Sequence, residues 1–299
     1  MAKLNRIYKL TIQTNLLNEA LEISDPIGIS FNVDRGIYAG VNSMDIDIFN
    51  LNPDHRNLLF QDTYDPVAYK HIVLEAGYAG MGLTVIFIGN IFNAYSYRQG
   101  SDIVTHIHAM DGGLDTSTTN SAMTFGKGVE LKDVINGLMG GFPHLKPGTQ
   151  NINDYTFKRP VVVDGNNFQL IRKYAGGDVF VDLEEVNIMK TKDVIKGYVP
   201  LINDESGLLG TPQRRNTSLS VELMFEPRIV VGQVIEVQSS IAPQFDGQFK
   251  VIGLQHQGTI NVAQSGKCTT RLELFVGTQL YGKFNVINAQ QQQVAPKSV

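Results

Sequence analysis

Cysteine and long apolar runs are the features this sequence has least of. Among 299 residues there is one cysteine, Cys268, so no disulfide can form within the chain. A disulfide-stapled secreted domain is excluded, and synthesis in a reducing cytosol is expected. The longest strongly apolar run, residues 83–88, is far too short to cross a bilayer, and residues 1–10 lack the apolar core of a signal peptide. We therefore expect no membrane insertion.

An excess of basic residues is also missing. The formal net charge is -4 and the pI is near 5.9, so the chain has no positive field that would attract nucleic acid or an anionic membrane. A general polyanion binder is disfavoured. Hydrophobic residues make up 42% of the chain, which is ample for packed cores and excludes wholesale disorder.

What the first part of the chain has is alternation of apolar and polar residues, the pattern of half-buried antiparallel strands. Asn52 followed by Pro53 predicts a short helix within this part, because asparagine caps helices and proline suits the first turn. Glycine turns between many short strands favour a small barrel. The predicted strands lie at residues 8–12, 29–33, 44–48, 71–76, 83–88 with its extension 90–97, and 101–110.

The middle of the chain has helical periodicity instead. Leu131, Val134, Ile135 and Leu138 are spaced as one stripe of a helix, and a second helix is predicted to begin near Asn166. Short strands flank the second helix. The stretch 115–121 is polar and is interpreted as the connection that ends the first module.

Alternation returns after a polar linker at residues 203–216. Strands are predicted from Leu219 and at 234–237, 248–255 and 270–276, with Asp246-Gly247 as a tight hairpin turn. The predicted fold class is α+β, mostly β, with two small antiparallel β-barrel modules and a small α/β domain between them. We place the modules at 1–125 and 201–287, the α/β domain at 126–200 and a flexible tail at 288–299.

Candidate metal and acid–base residues lie on the predicted strands. His106 and His108 face one side of a strand and are compatible with two metal ligands, but Asp111 is the sole nearby third candidate. Asp45 and Asp47 share one strand face, which by itself flanks no cleft for hydrolysis. A wet strand face explains both pairs better, and the same argument covers Glu184 and Glu185.

Cys268 has no nucleophile signature around it and is better explained as a small packing residue. The glycine turns lack the spacing and the lysine of a phosphate loop. We therefore expect no catalytic residue, no metal site and no cofactor. Arg214 and Arg215 form a basic spot that suits the rim of an interface with an acidic partner.

Four segments carry a family resemblance: YSYRQGSD at 95–102, GLLGTP at 207–212, FEPRIVVGQ at 225–233 and DGQFKVIGLQHQG at 246–258. With the order barrel, α/β insert, barrel, the chain resembles the baseplate hub family of contractile-tailed bacteriophages. The resemblance spans nearly the whole chain, and none of its segments is a catalytic signature.

The resemblance implies a homotrimer, in which three copies present six similar barrels to a hexameric tail tube. It implies as partners the tail tube protein, the central spike protein and other baseplate proteins, with DNA only in transit through an axial channel. It also implies a virion component made in the host bacterial cytoplasm. Some related hubs carry a lysozyme or peptidase domain, for which this sequence has no motif. As interface residues we select Phe225, Pro227 and Arg228, with Arg214 and Arg215, since aromatic and arginine side chains anchor interfaces. A core position explains Phe225 equally well.

Two other functions remain open. A tail tube or tube-terminating protein shares the barrel, although such proteins are usually a single barrel. A cell-wall hydrolase acting during entry would use a carboxylate such as Asp45. The mass of the protein in solution distinguishes the hub, a trimer, from a tube protein, a hexamer. Clearing of peptidoglycan by the purified chain would indicate the hydrolase.

Overall fold

Antiparallel strands dominate the structure, a computed structural model that describes residues 5–14, 20–62, 70–195, 197–261, 266–276 and 285–287. The first β module consists of β1 (Arg6–Thr14), β2 (Leu21–Ser24), β3 (Ile29–Gly36), β4 (Ser43–Phe49), α1 (Pro53–Leu59), β5 (Lys70–Tyr78), β6 (Gly82–Gln99) and β7 (Asp102–Met110). The insert consists of α2 (Gly113–Thr118), β8 (Asn120–Phe125), α3 (Leu131–Met139), β9 (Lys146–Gln150), β10 (Val161–Asn166), α4 (Asn167–Ala175), β11 (Asp178–Asp182), β12 (Glu185–Met189) and β13 (Asp193–Ile195). The second β module consists of β14 (Leu201–Ile202), β15 (Leu208–Arg214), β16 (Ser218–Met224), β17 (Val234–Val237), the 3-10 helix Pro243–Phe245, β18 (Gly247–Ile260) and β19 (Cys268–Phe275). A last strand, β20 (Asn285–Ile287), pairs with β13.

The alternation in the first module sorts side chains to two faces of the sheet. On β3, Ile29, Phe31 and Val33 are buried in one core, while the residues between them are half-buried on the other face. The predicted strands of this module are confirmed, including the extension of 83–88 by 90–97, which together form the long strand β6. The helix predicted after Asn52 is also confirmed, and the Asn52 side chain accepts a hydrogen bond from the His55 backbone at 2.8 Å.

The insert has its own core, built by the two predicted helices. The predicted stripe on α3 is buried throughout, and it packs against α4. Asn166 caps α4 by accepting from the Gln169 backbone at 3.0 Å, and Gly176 ends the helix in the left-handed conformation.

Residues 113–125 differ from the prediction of a polar connection. They form helix α2 and strand β8, and β8 pairs with β10 while Met123 and Phe125 pack against the core of the insert. Alternate side chains of β8 are exposed, and half of its residues are polar. The sequence of this stretch therefore has too few apolar residues to indicate a strand.

A single sheet runs through both β modules. Its strand order is β15-β16-β19-β18-β3-β4-β7-β6-β5-β1-β2, with β17 and β14 branching from β18. The fold class, α+β and mostly β with two β modules, is confirmed, and among the described residues no strand pairing closes either module completely. The sheet is continuous between the modules because β18 is long. It pairs with β17 through its first half and with β3 through its second.

The second module also supplies side chains to the first. Phe225, Ile260 and Cys268 are buried in the core of the first module. The other apolar residues of β16, β18 and β19 form a separate core with Ile37. The two β modules are therefore joined by shared packing as well as by hydrogen bonds between β3 and β18.

Asp246-Gly247 is not the tight turn that the sequence predicts. Val237 pairs with Gly247, so the connection between β17 and β18 spans residues 238–246 and contains the 3-10 helix. The Asp246 carboxylate instead accepts a hydrogen bond from the Ser239 backbone at 2.7 Å, which closes this longer loop. The flexible tail predicted at 288–299 lies outside the described residues.

Candidate functional site

The interface residues selected near the end of β16 fall into a buried pair and an exposed one. Phe225 is fully buried, with its ring edge-on to that of Phe31 at 6.0 Å, and Pro227 is buried as well. Arg228 is exposed, and its Nε donates to the Glu226 carboxylate at 2.7 Å, an ion pair that raises the pKa of Arg228. Of these three side chains, only that of Arg228 is exposed to solvent.

The other two selected residues lie where β15 ends, at one end of the sheet. Arg214 and Arg215 are both exposed. One guanidinium nitrogen of Arg215 is 4.0 Å from a Glu273 carboxylate oxygen, a long and solvent-exposed contact that contributes little. The basic spot is thus available to a partner. An interface role for all five selected residues stays a prediction.

The histidines and aspartates proposed for chemistry form a row of pairs on the wet face of β4 and β7. His106 Nδ1 is 2.8 Å from an Asp47 oxygen, and His108 Nδ1 is 2.7 Å from an Asp45 oxygen. Cross-strand register brings them together, since Asp45 lies opposite His108 and Asp47 opposite His106. Asp111 lies apart from them in a buried position. Among the described residues there is no cluster of three or more such side chains placed to hold a metal ion.

This polar face continues across the boundary between the modules. Asn32 donates to the Asp34 carboxylate at 2.7 Å, and Gln255 on β18 donates to the Asn32 side chain at 3.0 Å. Next to Gln255 in register lies Arg271, which is 3.6 Å from Glu222. The result is one polar surface shared by both modules, on which the carboxylates of Asp34, Asp45 and Asp47 each contact a neighbouring polar side chain.

Cys268 is a packing residue in the structure. Its side chain is buried, and burial raises the pKa of the thiol to about 12, so the reactive thiolate is disfavoured. His256 is fully buried, and burial followed by the charge of Arg35 lowers its pKa to about 3. Its Nδ1 is 2.8 Å from the Thr270 hydroxyl, which fixes the ring in the core.

Sequence reasoning did not find the buried charged cluster that joins the insert to the first module. The Arg35 guanidinium on β3 forms two hydrogen bonds of 2.7 Å with the Asp182 carboxylate at the end of β11. The Asp111 carboxylate accepts from the backbone of Leu183 at 2.7 Å and of Glu184 at 2.9 Å. Both turn residues have positive φ, so Asp111 holds a strained turn in place.

Asn42 completes this cluster. Its side chain donates to the Val181 carbonyl at 2.8 Å and accepts from the Gly36 backbone at 2.9 Å. The signal in the sequence is a charged residue, Arg35, at the end of an alternating strand, but nothing local indicates that its partner lies in another part of the chain.

None of the described helices combines the length and the apolar character that spanning a membrane requires.

The fold is that of bacteriophage tail proteins. The structure is similar to a tail protein from Neisseria meningitidis, with a TM-score of 0.58 at 10% identity over 91% of this chain and 97% of that chain. It is also similar to the 43 kDa tail protein of prophage MuSo2 from Shewanella oneidensis, with a TM-score of 0.60 at 8% identity over 90% and 97%. An E. coli component of the type VI secretion system, described as similar to the T4 tail proteins gp27 and gp5, has a TM-score of 0.57 at 10% identity over 92% of this chain and 79% of that chain.

The family follows from the sequence. The chain belongs to the baseplate hub gp41 family, whose model matches residues 8–260. It is therefore a structural protein of the bacteriophage tail baseplate, and the resemblance found in its sequence segments is confirmed. The curated proteins include no match to this chain.

Proposed function

We propose that three copies of this chain form a ring that joins the hexameric tail tube to the trimeric central spike. The observation that carries the proposal is that one chain has two β modules on a single sheet, each with its own core. Three such chains would offer six β modules around one axis, and cyclic symmetry closes such a ring through head-to-tail contacts. In this arrangement the hub matches six subunits on one side and three on the other.

The polar face of the sheet supports a role in lining the axial channel. It carries Asp34, Asp45 and Asp47 in contact with asparagine and histidine side chains. Arg271, a basic group on the same face, is 3.6 Å from Glu222, so DNA in transit would meet a basic side chain there that already has an acidic partner, and free basic side chains are what bind phosphate. The proposed partners are the tube protein, the spike protein and other baseplate proteins, in a virion tail assembled from subunits made in the host cytoplasm.

The three cores suggest how the chain is divided. We propose that the units predicted at 1–125, 126–200 and 201–287 act as a first β module, an α/β insert and a second β module. Since β8 packs on the insert, its six residues would move with the insert rather than with the first module. Proteolysis that trims each unit separately would test the boundaries.

The oligomer is tested by the mass of the purified chain in solution. A particle of about three times 33.0 kDa supports the hub, whereas six copies would point to a tube or tube-terminating protein. A monomer that stays a monomer when mixed with purified tail tubes and spikes would contradict the proposal. Electron micrographs of the same sample would show whether the particle is a ring with an open axis.

We also propose that the chain has no cell-wall hydrolase activity of its own. The described carboxylates on the polar face are paired with histidines and asparagine on an open sheet. Incubation with peptidoglycan should therefore produce no clearing. Reproducible clearing that disappears in Asp45→Asn would show that the enzymatic alternative is right.

A further inference from the structure

The seam where β3 meets β18 has the features of a hinge. Gly36 lies opposite Gly253, and the register of β18 against β19 shifts at Ile252, which is a bulge beside this pair. Neighbouring strands twist by roughly 10 to 35° relative to each other, so hydrogen bonds between two strands do not by themselves fix the angle between two sheets. Two glycines and a bulge at one point make that angle easier to change.

Strand β11 of the insert lies over this seam and is attached to β3 at its C-terminal end. Asp182 is the last residue of β11, and Arg35, which holds it with two hydrogen bonds of 2.7 Å, is the residue before Gly36. Arg35 is nearly fully buried in this packing, so its charge depends on Asp182 as its hydrogen-bonded partner. This attachment joins the insert to the first module directly beside the glycine pair.

Lys250 on β18 attaches the insert to the second module. Lys250 is buried and donates to the Thr191 carbonyl of the insert at 3.2 Å. Burial lowers the pKa of Lys250 to about 8, and the charges of Asp178 and Asp193 on the insert oppose that lowering. The insert is therefore hydrogen-bonded to both strands that form the seam, to β3 through Asp182 and to β18 through the Thr191 carbonyl.

Apolar packing of β11 completes the attachment. Phe180 packs in the core of the second module with Ile37, whereas Val179 and Val181 pack in the core of the insert. Successive residues of a strand point to opposite faces, so β11 is held between two cores, and its C-terminal end is also held by the Arg35 guanidinium.

We propose that the Gly36–Gly253 seam is a hinge between the two β modules and that strand β11 is a brace that fixes its angle through the Asp182–Arg35 hydrogen bonds at its C-terminal end and through the packing of Phe180 in the core of the second module. A buried charge that loses its partner is strongly destabilised, so the braced state is favoured over any state in which β11 has lifted away. The inference concerns one chain. It goes beyond the proposed hub and stands whether or not three copies form a ring.

The test is a distance distribution between the two modules, measured by pulsed electron spin resonance. Exposed residues in the first and second modules, changed as Asp54→Cys and Ile241→Cys, carry the spin labels. The buried Cys268 thiol, with its raised pKa, stays unlabelled in the folded protein. Dilution with unlabelled protein restricts the signal to pairs within one chain.

The brace variant is Asp182→Asn, which keeps the size of the side chain and removes the charge that pairs with Arg35. We expect a single narrow distance in the parent and a distribution at least twofold broader in the brace variant. The matched control, Asp133→Asn, removes an exposed charge from the same insert and should leave the width unchanged.

Circular dichroism and a cooperative melt identify variants that remain folded. If the brace variant fails to fold, Lys250→Met takes its place. It removes the hydrogen bond to the Thr191 carbonyl of the insert and keeps an apolar stem of similar length. A folded variant with the parent's distribution would overturn the brace. If the control broadens equally, the motion results from any loss of negative charge on the insert and not from loss of the brace. That outcome would also overturn the proposal. Because no oligomer is needed, failure here is distinguishable from failure of the trimer, which the mass measurement decides.

Discussion

The ring of Phe225 lies between Phe31, Tyr78 and His256, with centroid distances of 6.0, 6.1 and 5.3 Å. The Tyr78 hydroxyl also donates to the Phe225 carbonyl at 2.9 Å, so both its side chain and its backbone are fixed in the core of the first module. Since Phe225 is in the sequence of the second module, it acts as a packing link between the two.

Replacing Phe225 should therefore change stability. We expect Phe225→Ala to lower the free energy of unfolding by about 3–5 kcal/mol, the usual cost of removing a buried phenylalanine, and Phe225→Leu by clearly less. Urea unfolding followed by circular dichroism measures both. A stable Phe225→Ala protein with an altered mass in solution would instead favour the interface role predicted from the sequence.

Asp111 should make stability depend on pH. Burial, and then the neighbouring Asp182 carboxylate, raise its pKa from 3.8 to about 8, against the opposing effect of the two backbone N–H groups and Arg35. The folded state therefore keeps a proton that the unfolded state releases near pH 4. Between about pH 4 and pH 8 this residue lowers the free energy of unfolding as the pH rises, and above pH 8 its effect is constant.

The corresponding variant is Asp111→Asn, which cannot titrate. We expect the decline in stability between pH 5 and pH 8 to be smaller in this variant than in the parent protein, when urea midpoints are compared at the two values. Asp54→Asn, an exposed aspartate of the same module, is the control and should keep the parent's slope. Equal slopes in all three proteins would show that Asp111 is ionised throughout this range.

Among the elements, those with a strong period were predictable and those held by distant partners were not. The stripe on α3 and the Asn166 cap of α4 are local signals, and both are confirmed. Helix α2 and strand β8 lack such a signal because β8 acquires its partner, β10, from a segment some forty residues away. The double role of β18 depends in the same way on β3, which lies more than two hundred residues earlier.

The same reasoning applies to charged side chains. Arg35, Asp111 and Asp182 are conspicuous only after folding, because each is an ordinary polar residue in its own segment. Hydrogen bonds join residues separated by more than seventy positions. The sequence predicted His106 and His108 on one face of a strand, but not their contacts with Asp47 and Asp45, because the register between β4 and β7 joins residues about sixty positions apart.

Asn166 provides a prediction at the scale of elements, since its side chain serves two helices. Its oxygen accepts from the Gln169 backbone at the start of α4, and its Nδ2 donates to the Thr116 carbonyl of α2 at 2.9 Å. Asn166→Ala should cost about 1–2 kcal/mol, the upper part of the range for a lost helix cap. Asn166→Asp keeps the acceptor and loses the donor, so the difference between the two variants isolates the cap. Thermal melts give both values, and identical melting of the two would contradict a capping role.

At the scale of the whole molecule, the insert and the two β modules are all in contact at the seam between β3 and β18. The sheet passes from one β module to the other at the seam of β3 and β18, and the insert lies over that seam through β11. A protein whose proposed task is to present two similar surfaces at a fixed angle gains from such an arrangement, since any freedom between the modules would be lost at an entropic cost on assembly.

The charge of the polar face gives the last prediction. At moderate salt we expect no binding of duplex DNA by the parent protein, whose net charge is -4. The triple variant Asp34→Lys, Asp45→Lys and Asp47→Lys places three basic groups on that face, and Asp133→Lys, Asp154→Lys and Asp164→Lys makes the same change on the insert. Both triple variants should bind DNA more strongly as isolated chains, with an affinity that falls as salt rises. In particles assembled with each protein, only the first variant should delay DNA release, because the proposed ring turns the sheet and not the insert toward the channel. Tight binding by the parent protein, or equal delay from both variants, would show that the sheet does not line the path of the DNA.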